Sequence, residues 1–252
     1  MSYRTNPDYL RNYQYSNAHN LDARINLHRR FSTNPEDWFR WVFERLPITA
    51  DAHVLELGCG SGMLWKHNLD RIPANCHIHL SDFSFGMLRE AHQNNEFSPV
   101  PFSFLAFDAQ AIPYPDTIFD LVVANHMLYH IPNRSLAFSE IHRILKHGGK
   151  LIAATNGNNH MIEVQQLLLR LDPTLAYHTD HAFGINEFTI ENGTSQLSPW
   201  FTNLNIVPFE CVLEVTEGKP LIEYILSMNV APHKIITRQQ IDALHNYVNN
   251  EI

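Results

Sequence analysis

His53-Val54-Leu55-Glu56-Leu57-Gly58-Cys59-Gly60-Ser61-Gly62 decides how this chain is read. A short apolar run, broken by one acid, feeds a loop with glycine at every second position. The run has the length of a buried strand. The glycines let the backbone turn sharply and approach a ligand closely. A glycine loop after a strand also occurs in dinucleotide-binding folds, so its spacing matters. Here it is E-x-G-x-G-x-G, not the G-x-G-x-x-G that aims a helix N-terminus at a pyrophosphate. Glu56 would sit badly beside a diphosphate. It suits a ligand with a positively charged group, and the alternative is that it only caps loop amides.

Working outward, strand, loop and helix alternate. HIHLSD reads as a second strand, followed by a helix with Ser84 as N-cap and Met87, Leu88 and Ala91 on its apolar face. FSFLAFDA is a third strand. DLVVAN is a fourth, buried on both sides because its apolar residues are consecutive. Asn133 caps a helix carrying Leu136, Ile141 and Leu145, with Gly148-Gly149 as its stop. KLIAATN is a fifth strand. This order predicts an α/β fold with a doubly wound, mostly parallel sheet.

The flanks are read by their caps and periods. Asn20 to Arg30 reads as a short helix. Asn34, Pro35 and Asp37 predict a helix N-terminus at Asn34, followed by the stripe Trp38, Val42, Leu46. Met161 to Leu171 and Pro220 to Met228 read as helices. NIVPFECVLEVTE reads as a long sixth strand broken at Pro208. Thr237 to Gln240 is a capping box opening a last helix. The expected organisation is an N-terminal helical lid over 1–47. A main domain follows over 48–252, with a substrate-shaping insertion at about 158–200.

Composition narrows the classes. The 252 residues are 44% hydrophobic and 17% charged, as in ordinary soluble proteins. A net charge of −8 argues against a nucleic-acid surface. No basic run suggests a membrane patch, and Met1 to Leu21 lacks the apolar core of a signal peptide. Three cysteines match no zinc or disulfide framework, so reduced thiols in the cytoplasm are expected.

Two further carboxylates complete a pocket. Asp82 ends the second strand 20 residues after Gly62, where it can accept from both hydroxyls of a ribose. Asp108-Ala109 follows the third strand and can read an adenine edge. An adenosine with a cationic, phosphate-free tail fits these groups.

VLELGCGSG, LSDFSFGML and FDAQAIPYPDTIFDLVVANHMLYHI resemble, in order and spacing, the Rossmann-like class I S-adenosylmethionine-dependent methyltransferases. The type 11 branch, which includes the ubiquinone and menaquinone C-methyltransferases, is the most similar. The likeness covers about residues 35–157. It implies S-adenosyl-L-methionine as cofactor. Glu56, Gly58, Cys59 and Gly60 would line its methionine part, Asp82 its ribose, and Phe83 and Met87 its adenine. Asp108 and Ala109 would read the adenine edge, and the Asn125 backbone would meet the methionine end. Tyr13 or Tyr15 would close a lid. The family's final antiparallel strand is not read in this sequence, being either missing, supplied by a partner or beyond its end, so a six-stranded sheet is expected.

The implied reaction is methyl transfer to an O, N or C nucleophile of a small molecule, by a monomer or homodimer. The alternative is a cofactor-binding protein without methyl transfer. His126 and Tyr129, at the family's substrate opening, are the candidate acid/base groups. His126 and His130 have metal-ligand spacing, yet no third ligand is placed, so no metal is expected. His28-Arg29-Arg30 reads either as a solvated basic turn or as a contact for an anionic group.

Overall fold

The computed structural model describes residues 5–172, 188–228 and 237–251. Five strands form the sheet: β1 His53–Leu57, β2 His77–Asp82, β3 Phe102–Ala106, β4 Phe119–Asn125 and β5 Leu145–Ala154. The longer helices are α1 His19–Phe31, α2 Trp38–Glu44, α3 Phe85–Asn94, α4 Arg134–Ile144, α5 Ile162–Leu171, α6 Ile190–Leu197, α7 Gly218–Met228 and α8 Arg238–Glu251. Part of the proposed insertion, residues 173–187, lies outside the described residues.

The strand order is β3-β2-β1-β4-β5, and every neighbouring pair is parallel. Parallel strands need crossovers, and the intervening helices supply them. The order reverses between β1 and β4. That switch point opens a crevice at the strands' C-terminal ends, where ligands of such sheets bind. This is the fold class read from the sequence.

Burial on both faces explains the unbroken apolar strands. Val54, Leu121 and Val123 face a cluster with Val42, Phe43, Trp65 and Leu88. Leu55, Leu57, Val122 and Ala124 face the other way, against Ala137, Phe138 and Ile141 of α4. A third cluster stands apart from the sheet. There Leu27 and Phe31 of α1 pack with Val164 and Leu168 of α5, Leu221 and Ile225 of α7, and Leu244 and Val248 of α8.

Three local expectations are corrected. Among the described residues the sheet has five strands, not six. Residues 205–217 run irregularly and make a single antiparallel bridge, Leu213 to Ser32. Pro208 has no N–H for a ladder, and Ile206, Val207 and Val212 are exposed, so no buried face holds the segment as a strand. The second correction is the helix predicted from Asn34, which starts at Trp38. Asp37 is its cap, accepting from Arg40 N, while the Asn34 side chain bonds Glu36 N and Glu210 O. The third is Gly148-Gly149, which does not end a helix. The helix stops at Ile144, because Leu145 is already extended and paired with Phe119. The glycines lie inside β5 in an irregularity after which Lys150 pairs Leu121.

Leu55 is fully buried at the middle of the central strand. Leu55→Ala should lower unfolding free energy by about 2–5 kcal/mol, through lost burial and the cavity left behind. Urea denaturation followed by circular dichroism would measure it.

Candidate active site

The glycine loop leaves β1 with Gly58, Gly60 and Gly62 all at positive φ. At Gly58 this conformation coincides with close packing, since an added Cβ would lie 2.7 Å from Met127 Cβ. No side chain fits there without displacing the turn after β4.

Asp82 fixes the loop from the neighbouring strand. Its Oδ2 accepts from Gly60 N at 3.0 Å, and its Oδ1 accepts from Ser84 N at 2.8 Å. With Phe83 N as a third donor, the carboxylate still has capacity for a ligand hydroxyl. Burial pushes this carboxyl up to about 6, against the pull of the backbone donors of Ser84, Gly60 and Phe83.

Glu56 lies beneath the loop, 2% exposed. Its Oε2 accepts from the Trp65 indole N–H at 2.7 Å. Burial raises it to about 8, opposed by Trp65 and Asn125 and reinforced by Asp82. In the unliganded protein it is therefore largely protonated at neutral pH. A cationic ligand close by would favour its ionised form. Asn125 ends β4, and neither polar atom of its buried carboxamide has a well-formed hydrogen bond among the described residues. Buried polar atoms are seldom left so, and a polar ligand is one way to satisfy them.

The other predicted residues reach the same cleft. Glu56, Gly58, Cys59, Gly60, Asp82, Phe83, Met87, Asp108, Ala109 and Asn125 all line one cavity of about 1750 Å³, as do His126 and Tyr129. Pockets for single small molecules span roughly 300–1,000 Å³. The cleft has room for a nucleoside-sized ligand and a second reactant. The Asp108 carboxylate is held by Gln110, whose backbone N and side-chain amide both donate to it. Met87 is fully buried, and the Arg11 guanidinium lies over the Phe83 ring at 4.2 Å. Burial raises the Cys59 thiol well above its ordinary range, so it is held as a neutral group.

The N-terminal segment lies against this loop. Tyr15 O accepts from Ser84 Oγ at 2.6 Å, and Tyr15 Oη is 2.9 Å from His130 Nε2. Arg24 donates to Tyr15 Oη and to Ser227 O. Tyr13 is 56% exposed and does not line the cleft. Of the two lid tyrosines, Tyr15 alone is at the site.

His126 has φ 51, a conformation that costs a non-glycine residue about 1–2 kcal/mol. Its ring packs on Trp38 at 5.1 Å. Burial and the charge of His28 hold it at about 4. Trp65, Arg24 and His160 were not singled out from the sequence. The spacing of Trp65 from Glu56 was visible, but nothing in it marks an indole as a carboxyl's donor. Among the described residues no cluster of three metal-ligating side chains occurs, and no helix is long and apolar enough to cross a membrane.

Comparison with known proteins agrees with this geometry. Residues 55–153 match the family described as a methyltransferase domain. Malonyl-[acyl-carrier protein] O-methyltransferase 1 of Ilyobacter polytropus is 32% identical over 125 residues, covering 50% of this chain and 46% of the relative. Ubiquinone/menaquinone biosynthesis C-methyltransferase UbiE of Hydrogenovibrio crunogenus is 32% identical over 117 residues, covering 46% of each. The chain thus matches about half the length of these curated relatives. A chain from the complex of the Haloferax volcanii Trm112 methyltransferase activator with its methyltransferase shares the fold. It has TM-score 0.52 and 22% identity, covering 72% of this chain and 74% of that one. Residues 55–153 thus match a methyltransferase domain, on a parallel sheet of Rossmann-like order.

The raised Glu56 carboxyl has a measurable consequence. An acid whose value rises on folding holds a proton the unfolded chain releases, so its contribution is present below pH 4.5 and lost as pH rises through about 8. Between pH 7 and 8.5 the unliganded protein should lose thermal stability. Glu56→Gln, which keeps an acceptor for Trp65, should flatten that slope in differential scanning calorimetry.

Proposed function

We propose that this chain transfers the methyl group of S-adenosylmethionine to a small-molecule acceptor in the cytoplasm. The observation that carries the reading is Asp82. It ties the glycine loop to the start of α3 and keeps accepting capacity for a ribose hydroxyl. Glu56 and Asn125 would face the cofactor's charged amino-acid end, Phe83 and Met87 its adenine faces, and Asp108 with Ala109 its adenine edge.

When bound, the cofactor supplies a methyl already activated by a sulfonium. The chain's task is then to align the acceptor and exclude water, and alignment alone contributes several kcal/mol in well-oriented reactions. We place His126 and Tyr129 beside the acceptor, since both line the cleft with the glycine loop. The acidic net charge favours a small molecule over nucleic acid, and the three free thiols suit a reducing compartment. Relatives named as transferases support transfer over cofactor binding alone. One is named for O-transfer and another for C-transfer, so the shared half does not fix the acceptor atom.

Calorimetric titration with S-adenosylmethionine and S-adenosylhomocysteine is the direct test. Micromolar binding is expected for both, weakened 10-fold or more by Asp82→Ala. Equal affinity of mutant and wild type would remove the central support for this reading.

A further inference from the structure

Three imidazoles line the cleft from three separate parts of the chain. His28 comes from α1, His126 from the turn after β4, and His160 from the segment leading into α5. The rings of His28 and His160 are stacked, 5.7 Å apart and 9° from parallel. His28 also meets the Tyr224 ring edge-on at 6.1 Å, and His126 packs on Trp38. None of the three imidazoles has a hydrogen-bond or ion-pair partner among the described residues.

Their environment keeps them neutral. Burial lowers His28, holds His126 at about 4, and holds His160 at about 3, where His28 and His126 add to the effect. Each ring then offers one N–H donor and one lone pair. The nearby Arg24 guanidinium is already engaged by Ser227 and Tyr15. No lysine lines the cleft, and its two other arginines, Arg29 and Arg45, lie exposed at its margin, Arg45 bound to Trp41 O.

We propose that the acceptor is a carboxylate on an apolar body, held by N–H groups of His28, His126 and His160 between the Trp38 and Tyr224 rings. This rests on the methyl-transfer reading above. An amine acceptor arrives as an ammonium of pKa around 10 and must lose its proton first. An alcohol or a carbon acid must also give one up. His126 and His160, held this low, are too weak as bases for any of these. A carboxylate arrives ionised. Its oxygen forms the new bond to the methyl carbon as the carbon–sulfur bond breaks, with the electron pair staying on sulfur. An ester and a neutral thioether result, and no proton moves. Both opposite charges vanish along this path, so a poorly solvating pocket of neutral donors favours it, whereas a fixed cation would stabilise the reactant anion.

The test uses the full chain saturated with S-adenosylhomocysteine. Octanoate, 3-phenylpropanoate, octylamine and octanol are titrated calorimetrically, and the same four are incubated with S-adenosylmethionine for product analysis by mass spectrometry. At least one carboxylate should bind 10-fold or more tightly than the amine and the alcohol, and only methyl esters should form. His160→Leu should weaken carboxylate binding at least 10-fold, and His160→Gln, which keeps a donor, should weaken it less. Both should bind S-adenosylhomocysteine as wild type does, which shows that they fold. Preference for octylamine or octanol, or no binding of either carboxylate, overturns the acceptor assignment. Failure of the wild type to bind S-adenosylhomocysteine overturns the methyl-transfer reading instead.

Discussion

One carboxylate holds the catalytic end of this sheet together. Asp82 accepts from the glycine loop with one oxygen and from the first residue of the next turn with the other. The loop after β1, the end of β2 and the start of α3 therefore have fixed relative positions. Charge-assisted bonds of this kind are about twice as strong as neutral ones. Ser81 adds a bond from its hydroxyl to Glu56 O, and Cys59 N donates to Ser81 O. The crevice at the switch point is thus braced before any ligand enters it.

Bracing is matched by electrostatic tension. Asp82 and Glu56 are both buried, and each carboxyl is raised by that burial. Asn125 adds a buried amide with no well-formed hydrogen bond among the described residues. A site with these features is less stable empty than an apolar core of the same size would be. Ligands that supply hydroxyl donors and a positive charge relieve all three at once. The same residues that weaken the empty protein are those we propose to face the cofactor.

The alternating core was legible in the sequence because local signals and global fold agree there. Consecutive apolar residues in β4, the Ser84 cap and the glycine loop each point to one arrangement. The flanks were less legible for physical reasons. Residues 205–217 carry strand-like composition, but strand pairing needs a neighbour, and none could be read from this stretch. Asn34 and Asp37 are both competent caps, and packing of Trp38 chose the second. The residues missed in the sequence share one trait. His160, Arg24 and Trp65 work through partners distant in the chain or through burial, neither of which a local pattern carries. The proposed cofactor groups stood out because their order along the strands is itself the pattern.

The helical layer over the cleft has a kinetic side. Arg24 of α1 bonds Ser227 of α7, 203 residues away, and the third hydrophobic cluster joins the same two helices. Contacts of such long range carry a large loop-closure cost before they return any stabilisation. The sheet and its crossover helices have nearer partners and can assemble first. By this reasoning the roof over the cleft should form after the sheet. Local unfolding of such a layer, rather than of the whole molecule, would give ligands a route in while the braced crevice beneath stays intact.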